Sequence, residues 1–260
     1  MRYGFCHLAI APLRKENNER AEMISQLIFG DSFKIIQELE DKIQIENFED
    51  QYIGWVDKKQ VIGISKTDYY AYNQTPKLLV TQAITHIIQT NIDTNQKIIY
   101  PIYLGSQLVG EKFQIGNILF QVLEPKHISR PKINIHSLIT IALKYISTPY
   151  LWGGKSLYGI DCSGFTQMSY KQIGVNLLRD AKDQVTQGED VRAIDLAEKG
   201  DLCFFSNSEG KITHVGIYIG NNQIIHSSGQ VRIDPIDSNG IIPEHSSTYT
   251  HQLNKIKRYL

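Results

Sequence analysis

The chain predicts an α+β protein: two small β-rich segments, then a part in which helices pack on an antiparallel sheet. Three observations lead there. Residues 1 to about 64 carry short runs of alternating apolar and polar residues separated by charged turns. Residues 65 to 128 repeat that style in runs rich in Ile, Val, Tyr and Phe, with Gly and Asn between. From about residue 131 the period first becomes helical and then returns to strands.

The first segment reads as strands at "DSFKIIQELED" (Phe33, Ile35, Leu39), "DKIQIENF" (Ile43, Ile45, Phe48) and "QYIGWVDKKQVI" (Tyr52, Trp55, Val56). Short strands and charged turns suit a small barrel. "RAEMISQLIFGD" admits two readings, one or two helical turns or an irregular loop leading into a strand. The second segment holds "KLLVTQAITHIIQ", "KIIYPIYLGSQL" and "EKFQIGNILFQVLE", a second small β domain. "EPKHISRPKINIH", with two prolines and several charges, is the natural linker at about 124 to 136.

In the third segment "HSLITIALKYIS" has helical period, with Leu138, Ile141, Ala142 and Tyr145 on one side, and ends before Pro149. "TPYLWGGKSLYGI" is a glycine-rich loop, a helix opens near Cys162, and Gly174 is its stop. "LLRDAKDQVTQGEDV" starts a further helix after Arg179–Asp180. "GDLCFFS", "THVGIYIG" and "QIIHSSG" follow as strands.

The 260 residues are 42% hydrophobic and 21% charged, the composition of a globular protein of one to three domains. Lys plus Arg is 27 and Asp plus Glu is 27, with no basic stripe, so neither nucleic acid nor membrane is expected as a partner. No apolar run reaches the ~18 residues of a spanning helix. At the start, "AIA" and Arg2 imitate a secretory signal, but the stretch before it is interrupted by Gly4 and His7. It is shorter than the ~15–30 residues of such a signal, so it reads as a strand. Cys6, Cys162 and Cys203 form no disulfide framework. Both points predict a cytoplasmic setting.

The chemistry concentrates at "YGIDCSGFTQMSY". A cysteine on the first helical turn meets the positive end of the helix dipole and N–H groups without intrahelical partners. Both favour a thiolate, hence a nucleophile. The competing reading is a small buried thiol behind an ordinary Asp161 N-cap. A thiolate needs a base, and His214 and His226 flank "VGIYIGNNQII". If the turn uses the three residues Gly220, Asn221 and Asn222, Ile219 faces Gln223 and Gly216 faces His226. The two histidines then share a face, roughly 7–8 Å apart. A two-residue turn would split them onto opposite faces. In the first register His214 serves as base and His226 fixes its tautomer. Zinc is the competitor, but spacings of 52 and 12 residues match no compact zinc motif, so no metal or other cofactor is expected.

The ordered set "PYLWGG", "DCSGF", "GDLCFF", "HVGIYIG" and "IIHSSG" resembles the NlpC family of papain-like cysteine peptidases over about residues 131–260. "APLRKENNERAEMISQLIFGD" and "YIGWV" resemble the paired bacterial SH3-like barrels that precede this domain in γ-D-glutamyl-L-diamino acid endopeptidases. The resemblance implies two SH3-like β-barrels, 1–64 and 65–128, and a papain-like NlpC domain over 131–260. It also implies a muropeptide substrate, L-Ala-γ-D-Glu-diamino acid with a free amine, cut in cell-wall recycling. By motif, Cys162 is the nucleophile, His214 the base, His226 the third member and Tyr150 a residue of the oxyanion site. Asp161 and Ser163 would bind the substrate amine, with Glu22 and Tyr52 of the first barrel as a gate. The family usually has a larger aliphatic residue where Cys203 stands. The rival readings are a related thiol amidase or acyltransferase, and a non-enzymatic wall-binding protein.

Overall fold

A computed structural model describes residues 2–243 and 246–260. The chain divides into two compact units, Met1–Pro131 and Lys132–Leu260, a division that falls inside the proline-containing stretch 124–136.

In the first unit a seven-stranded antiparallel sheet runs in the order Met23–Ile28, Ile10–Arg14, Ile53–Asp57, Lys42–Asn47, Ser32–Glu38, Tyr3–Phe5, Ile62–Ile64. Its alternation buries Ala11, Leu13, Leu27, Phe33, Ile43, Ile45 and Val56 in one cluster. The ambiguous "RAEMISQLIFGD" contributes the strand Met23–Ile28, paired with Ile10–Arg14. Its last four residues are all buried, so a tertiary partner, not the local period, decided its state.

Helix α1, Lys66–Gln74, is absent from the strand reading of this region. Ser65 caps it by accepting the Asp68 N–H at 3.0 Å, and Asp68 three residues on completes a capping-box pattern that the sequence carried. Its buried face is Tyr69 and Tyr72. Beyond it lie a four-stranded sheet (Lys97–Tyr103, Ile84–Asn91, Ile118–Val122, Lys112–Ile115) and a three-stranded one (Gln107–Leu108, Leu78–Val80, Ile128–Ser129). The two halves of this unit share a core. Phe120 meets the rings of Phe5 and Phe29 at 5.8 and 5.3 Å, and Tyr72, Ile87 and Ile102 join the same cluster.

In the second unit α2, Ile135–Leu143, starts at Asn134, whose side chain accepts the Ser137 N–H at 2.9 Å. Leu138, Ala142 and Tyr145 are buried as expected, and Tyr145 meets Phe165 edge-on at 5.9 Å. Helix α3, Cys162–Lys171, is buried along its whole length. It stops at Gly174, where φ is +85° and the Val175 N–H returns to the Tyr170 carbonyl at 3.1 Å. Helix α4, Ala181–Gln184, is a single turn rather than the longer helix expected from "LLRDAKDQVTQGEDV". The chain leaves it through Gly188, at φ +68°, into the strand Glu189–Val191.

The sheet of this unit runs Glu189–Val191, His251–Arg258, Leu202–Ser206, Ile212–Gly220, Gln223–Ser228, Gln230–Pro235, each antiparallel to the next. Helix α3 packs against the strands Ile212–Gly220 and Gln223–Ser228, which brings the helix start and the histidine hairpin together.

Candidate active site

Cys162 is the first residue of α3 and is buried. Asp161 caps the helix, accepting the Gly164 N–H at 2.6 Å. Gly164 cannot be replaced without moving this turn: a Cβ there would sit 2.3 Å from the Gly154 carbonyl oxygen and 2.9 Å from Asp161 Oδ1. That close approach is the physical reason for the glycine of "DCSG"; in "WGG" a Cβ on Gly154 would sit 2.4 Å from the Gly159 carbonyl oxygen. The loop is tied to the hairpin as well, through Tyr150 N–H to the Gly229 carbonyl at 2.9 Å and Ser227 Oγ to the Ile160 carbonyl at 2.8 Å.

The carboxylate of Asp161 is fully engaged. Gly153 N–H (2.8 Å), Gly164 N–H (2.6 Å), Ser163 O–H (3.3 Å) and two N–H groups of Arg179 (3.0 and 2.6 Å) all donate to it. A carboxylate offers about four lone-pair sites. Arg179 also reaches Ser163 Oγ at 2.9 Å and is only 1% exposed. The Asp161 charge, which the resemblance assigns to a substrate amine, is paired within the protein by Arg179. Arg179 was not singled out from the sequence, although a cation directly after Leu177–Leu178 is the pattern of a charge carried inward. Helix α4 adds Gln184, which donates to the Ser163 carbonyl at 3.0 Å and accepts from Thr166 at 2.8 Å.

The helix start does not lower the thiol pKa on balance. Burial pushes the Cys162 thiol up to about 12, and the Asp161 charge adds to this. The Val215 N–H, the Arg179 charge and the Ser163 N–H oppose it. The resting group is a thiol, and its ionisation depends on a proton acceptor close by. Val215, whose N–H reaches the sulfur, directly follows His214.

The hairpin delivers both histidines to one face by a route other than the three-residue turn. Asn221 and Asn222, both at φ +54°, make a two-residue turn with Gly220 opposite Gln223. A register shift between Tyr218 and Gly220 takes up Ile219, so Gly216 still faces His226. A Cβ on Gly216 would lie 2.8 Å from the Cβ of His226, so this glycine leaves room for that ring. His214 Nε2 and His226 Nδ1 are 2.8 Å apart, both rings buried, which leaves Nδ1 as the ring nitrogen of His214 outside that pair.

Behind them stand residues the sequence reading missed. Asp234 Oδ2 lies 2.9 Å from His226 Nε2, and Arg232, directly opposite His226 in the ladder, holds Asp234. Period-two alternation after the Gly229 turn, with Val231 and Ile233 on one face, was the available signal. His251, from the last strand, lies over His214 with ring centroids 4.2 Å apart and a tilt of 30°. "THQLNK" gave no hint of that.

Tyr150 is 36% exposed, and burial, then the Cys162 and Asp161 charges, raise its pKa, so it keeps its hydroxyl proton. Within the first unit, Glu22 is exposed and 3.3 Å from Lys15 Nζ, and Tyr52 is half-buried against the barrel core. Cys203 is buried in its strand, and among the described residues no group of three or more His, Cys, Asp or Glu could hold a metal ion.

The imidazoles make stability pH-dependent. Burial, then repulsion from His226 and His251, holds the His214 pKa well below 6.5; burial, then His226, lowers that of His251 to about 4. Histidines of the unfolded chain titrate near ~6.5. Below that pH the unfolded chain binds protons that the folded chain refuses, so stability falls as pH falls from about 6.5 towards 4. The midpoint temperature should drop between pH 7.5 and 5. His251→Phe, which keeps a stacked ring, should flatten the slope; calorimetry across this range checks it.

Comparison with known proteins identifies the family. The NlpC/P60 family model matches residues 147–249, and a bacterial dipeptidyl-peptidase SH3 domain matches residues 13–61. Dipeptidyl-peptidase 6 of Lysinibacillus sphaericus is 32% identical over 256 residues, covering 88% of this chain and 89% of that protein. The γ-D-glutamyl-L-lysine dipeptidyl-peptidase of Bacillus subtilis (strain 168) is 41% identical over 102 residues, 38% of this chain and 34% of that longer protein. A crystal structure of an NlpC/P60 family protein from Bacillus cereus ATCC 10987 shares the fold, with a TM-score of 0.80 at 21% identity over 99% of each chain. An SH3-like β region, a papain-like α+β unit and a near-full-length relative at 32% identity lead to one conclusion: the chain belongs to the NlpC/P60 family of cysteine peptidases.

Proposed function

We propose that this chain hydrolyses the γ-D-glutamyl–diamino acid bond of peptidoglycan-derived peptides, releasing L-Ala-γ-D-Glu from a free N-terminus. The observation that carries the reading is a buried Cys162 at a helix start beside a hydrogen-bonded His214–His226 pair. The names of its relatives, dipeptidyl-peptidases, supply the substrate class.

In this reading Cys162 Sγ attacks the γ-carbonyl carbon while His214 Nδ1 takes its proton. The helix start and the Tyr150 hydroxyl stabilise the oxyanion. His214 returns the proton to the departing amine, the C–N bond breaks, and a thioester of the dipeptide remains. Water, deprotonated by His214, cleaves the thioester and restores the thiol. Both proton abstractions, from the thiol and from water, start from a neutral His214, the state that burial favours.

Amine selection belongs to the same proposal. Asp161 and Ser163 shape that end of the site, with Asp161's charge already paired by Arg179. Glu22 and Tyr52 are assigned to the amine by the family resemblance. Three buried cysteines outside any disulfide suit a reducing compartment, and action on small peptides in the cytoplasm, in recycling, completes the reading.

Mass spectrometry of products from L-Ala-γ-D-Glu-diaminopimelate tests it: the dipeptide and free diaminopimelate are expected. Release of alanine, or an intact tripeptide, would refute the bond assignment. N-acetylation of the L-Ala should remove most of kcat/KM, and Glu22→Gln should raise KM for the free tripeptide. Equal rates on free and acetylated peptide would end the amine reading.

A further inference from the structure

We propose that Asp234 is a positioning residue: through His226 it sets the tautomer in which His214 presents an unprotonated Nδ1 to Cys162. The inference rests on the roles proposed above for Cys162, His214 and His226 and adds a member to them.

The geometry is a chain of single-proton contacts. Asp234 Oδ2 is 2.9 Å from His226 Nε2, and His226 Nδ1 is 2.8 Å from His214 Nε2. A carboxylate only accepts, so His226 carries its proton on Nε2. Its Nδ1 is then an acceptor, so His214 carries its proton on Nε2. Nδ1 of His214 is left with a lone pair. These protons are assigned from the partners, and with both rings neutral and the terminal group an anion the assignment has one solution. His226 and Asp234 are each 1% exposed, which keeps water from supplying an alternative donor.

The anion is held in place. Arg232 Nε lies 2.6 Å from Asp234 Oδ2 and Nη2 lies 2.7 Å from Oδ1. Burial alone would raise the Asp234 carboxyl, but hydrogen bonds from His226 and Arg232 outweigh it and hold the group below the usual carboxylate range. Asp234 sits opposite Ile224 in the ladder, which places it on the face of His226 two residues along.

Other titratable groups face the pair without dictating its tautomer. His251, on the last strand, meets His214 ring to ring and has Nδ1 2.9 Å from Thr250 Oγ1. Phe205, on the neighbouring strand, is not titratable. On the helix side stand the Cys162 thiol, the Asp161 and Arg179 charges that act on it, and Tyr150. The Asp234 charge also opposes the positive charge His214 acquires when it takes the thiol proton.

The test uses the full chain and Asp234→Asn, an isosteric change whose amide can present either edge. Ring-nitrogen NMR on labelled histidine reads the tautomers, and alkylation of Cys162 by iodoacetamide against pH reads thiolate formation. Wild type should show Nε2–H on both His214 and His226. In Asp234→Asn the Nε2–H population should fall, and the alkylation midpoint should move up by about one pH unit. The variant's kcat should fall on the order of 10–100-fold with KM unchanged. Wild-type tautomers and an unmoved alkylation profile in the variant, whatever its thermal stability, would reduce Asp234 to a structural partner of Arg232. An Nδ1–H on His226 in the wild type would overturn the inference without any variant. Neither readout needs substrate, so failure here is separate from failure of the proposed bond specificity, which shows as an uncut tripeptide.

Discussion

Cys162→Ala is expected to remove hydrolysis of the tripeptide, with kcat falling on the order of 10⁶-fold, while the fold persists. The substitution deletes the only atom that the proposed mechanism lets form the thioester, and an alanine at the first helical position leaves the Asp161 cap in place. His214→Ala should be as damaging. Burial holds the thiol protonated, at a pKa of about 12, so a nucleophile without its base stays inert at neutral pH. The two residues act as a unit, so the double variant should be no worse than either single one. His226→Gln should retain more activity, because an amide still orients the ring of His214. Cys6→Ala, in the buried core of the first unit, and Cys203→Ala, buried in a strand, should keep turnover. Steady-state kinetics with product mass spectrometry decides. Near wild-type turnover in Cys162→Ala would remove the nucleophile assignment, and equal, complete loss in His214→Ala and His226→Gln would remove the distinction between base and orienting residue.

Arg179→Met should cost about 3–5 kcal/mol of stability. It leaves Asp161, 5% exposed, as a buried carboxylate without its cation. The remaining donors, Gly153, Gly164 and Ser163, are neutral and cannot replace the charge. Adding Asp161→Asn should recover much of the loss, because a paired charge is removed as a pair. The chemistry should change too. Arg179 opposes the rise of the Cys162 pKa, and Asp161 promotes it, so the single variant should form thiolate only at higher pH. Denaturant titration measures the first effect and iodoacetamide alkylation against pH the second. An Arg179→Met protein as stable as wild type would show that the Asp161 charge is compensated elsewhere.

Much of the fold and half of the candidate site were legible in the residues. Helices α2 and α3, the Asp161 cap and the Gly174 stop follow from period and capping, which act over about four residues. The pairing of Gly216 with His226 was also readable, although a two-residue turn and the Ile219 irregularity produce it rather than a three-residue loop. Helix α1 was missed because its tyrosines resemble strand residues, while its capping box at Ser65 and Asp68 went unread. "RAEMISQLIFGD" stayed open because its strand exists only against Ile10–Arg14.

What the sequence determined by itself is which groups can do chemistry and in what local frame: a cysteine on a capped helix start and two histidines on one face of a hairpin. Only the tertiary structure decided their protonation. Arg179 reaches Asp161 across 18 residues of chain, and His251 reaches His214 from the last strand. Caps and turns are set by neighbours along the chain. A pKa is set by burial and by charges that approach through space, which turned the expected thiolate into a buried thiol awaiting its base.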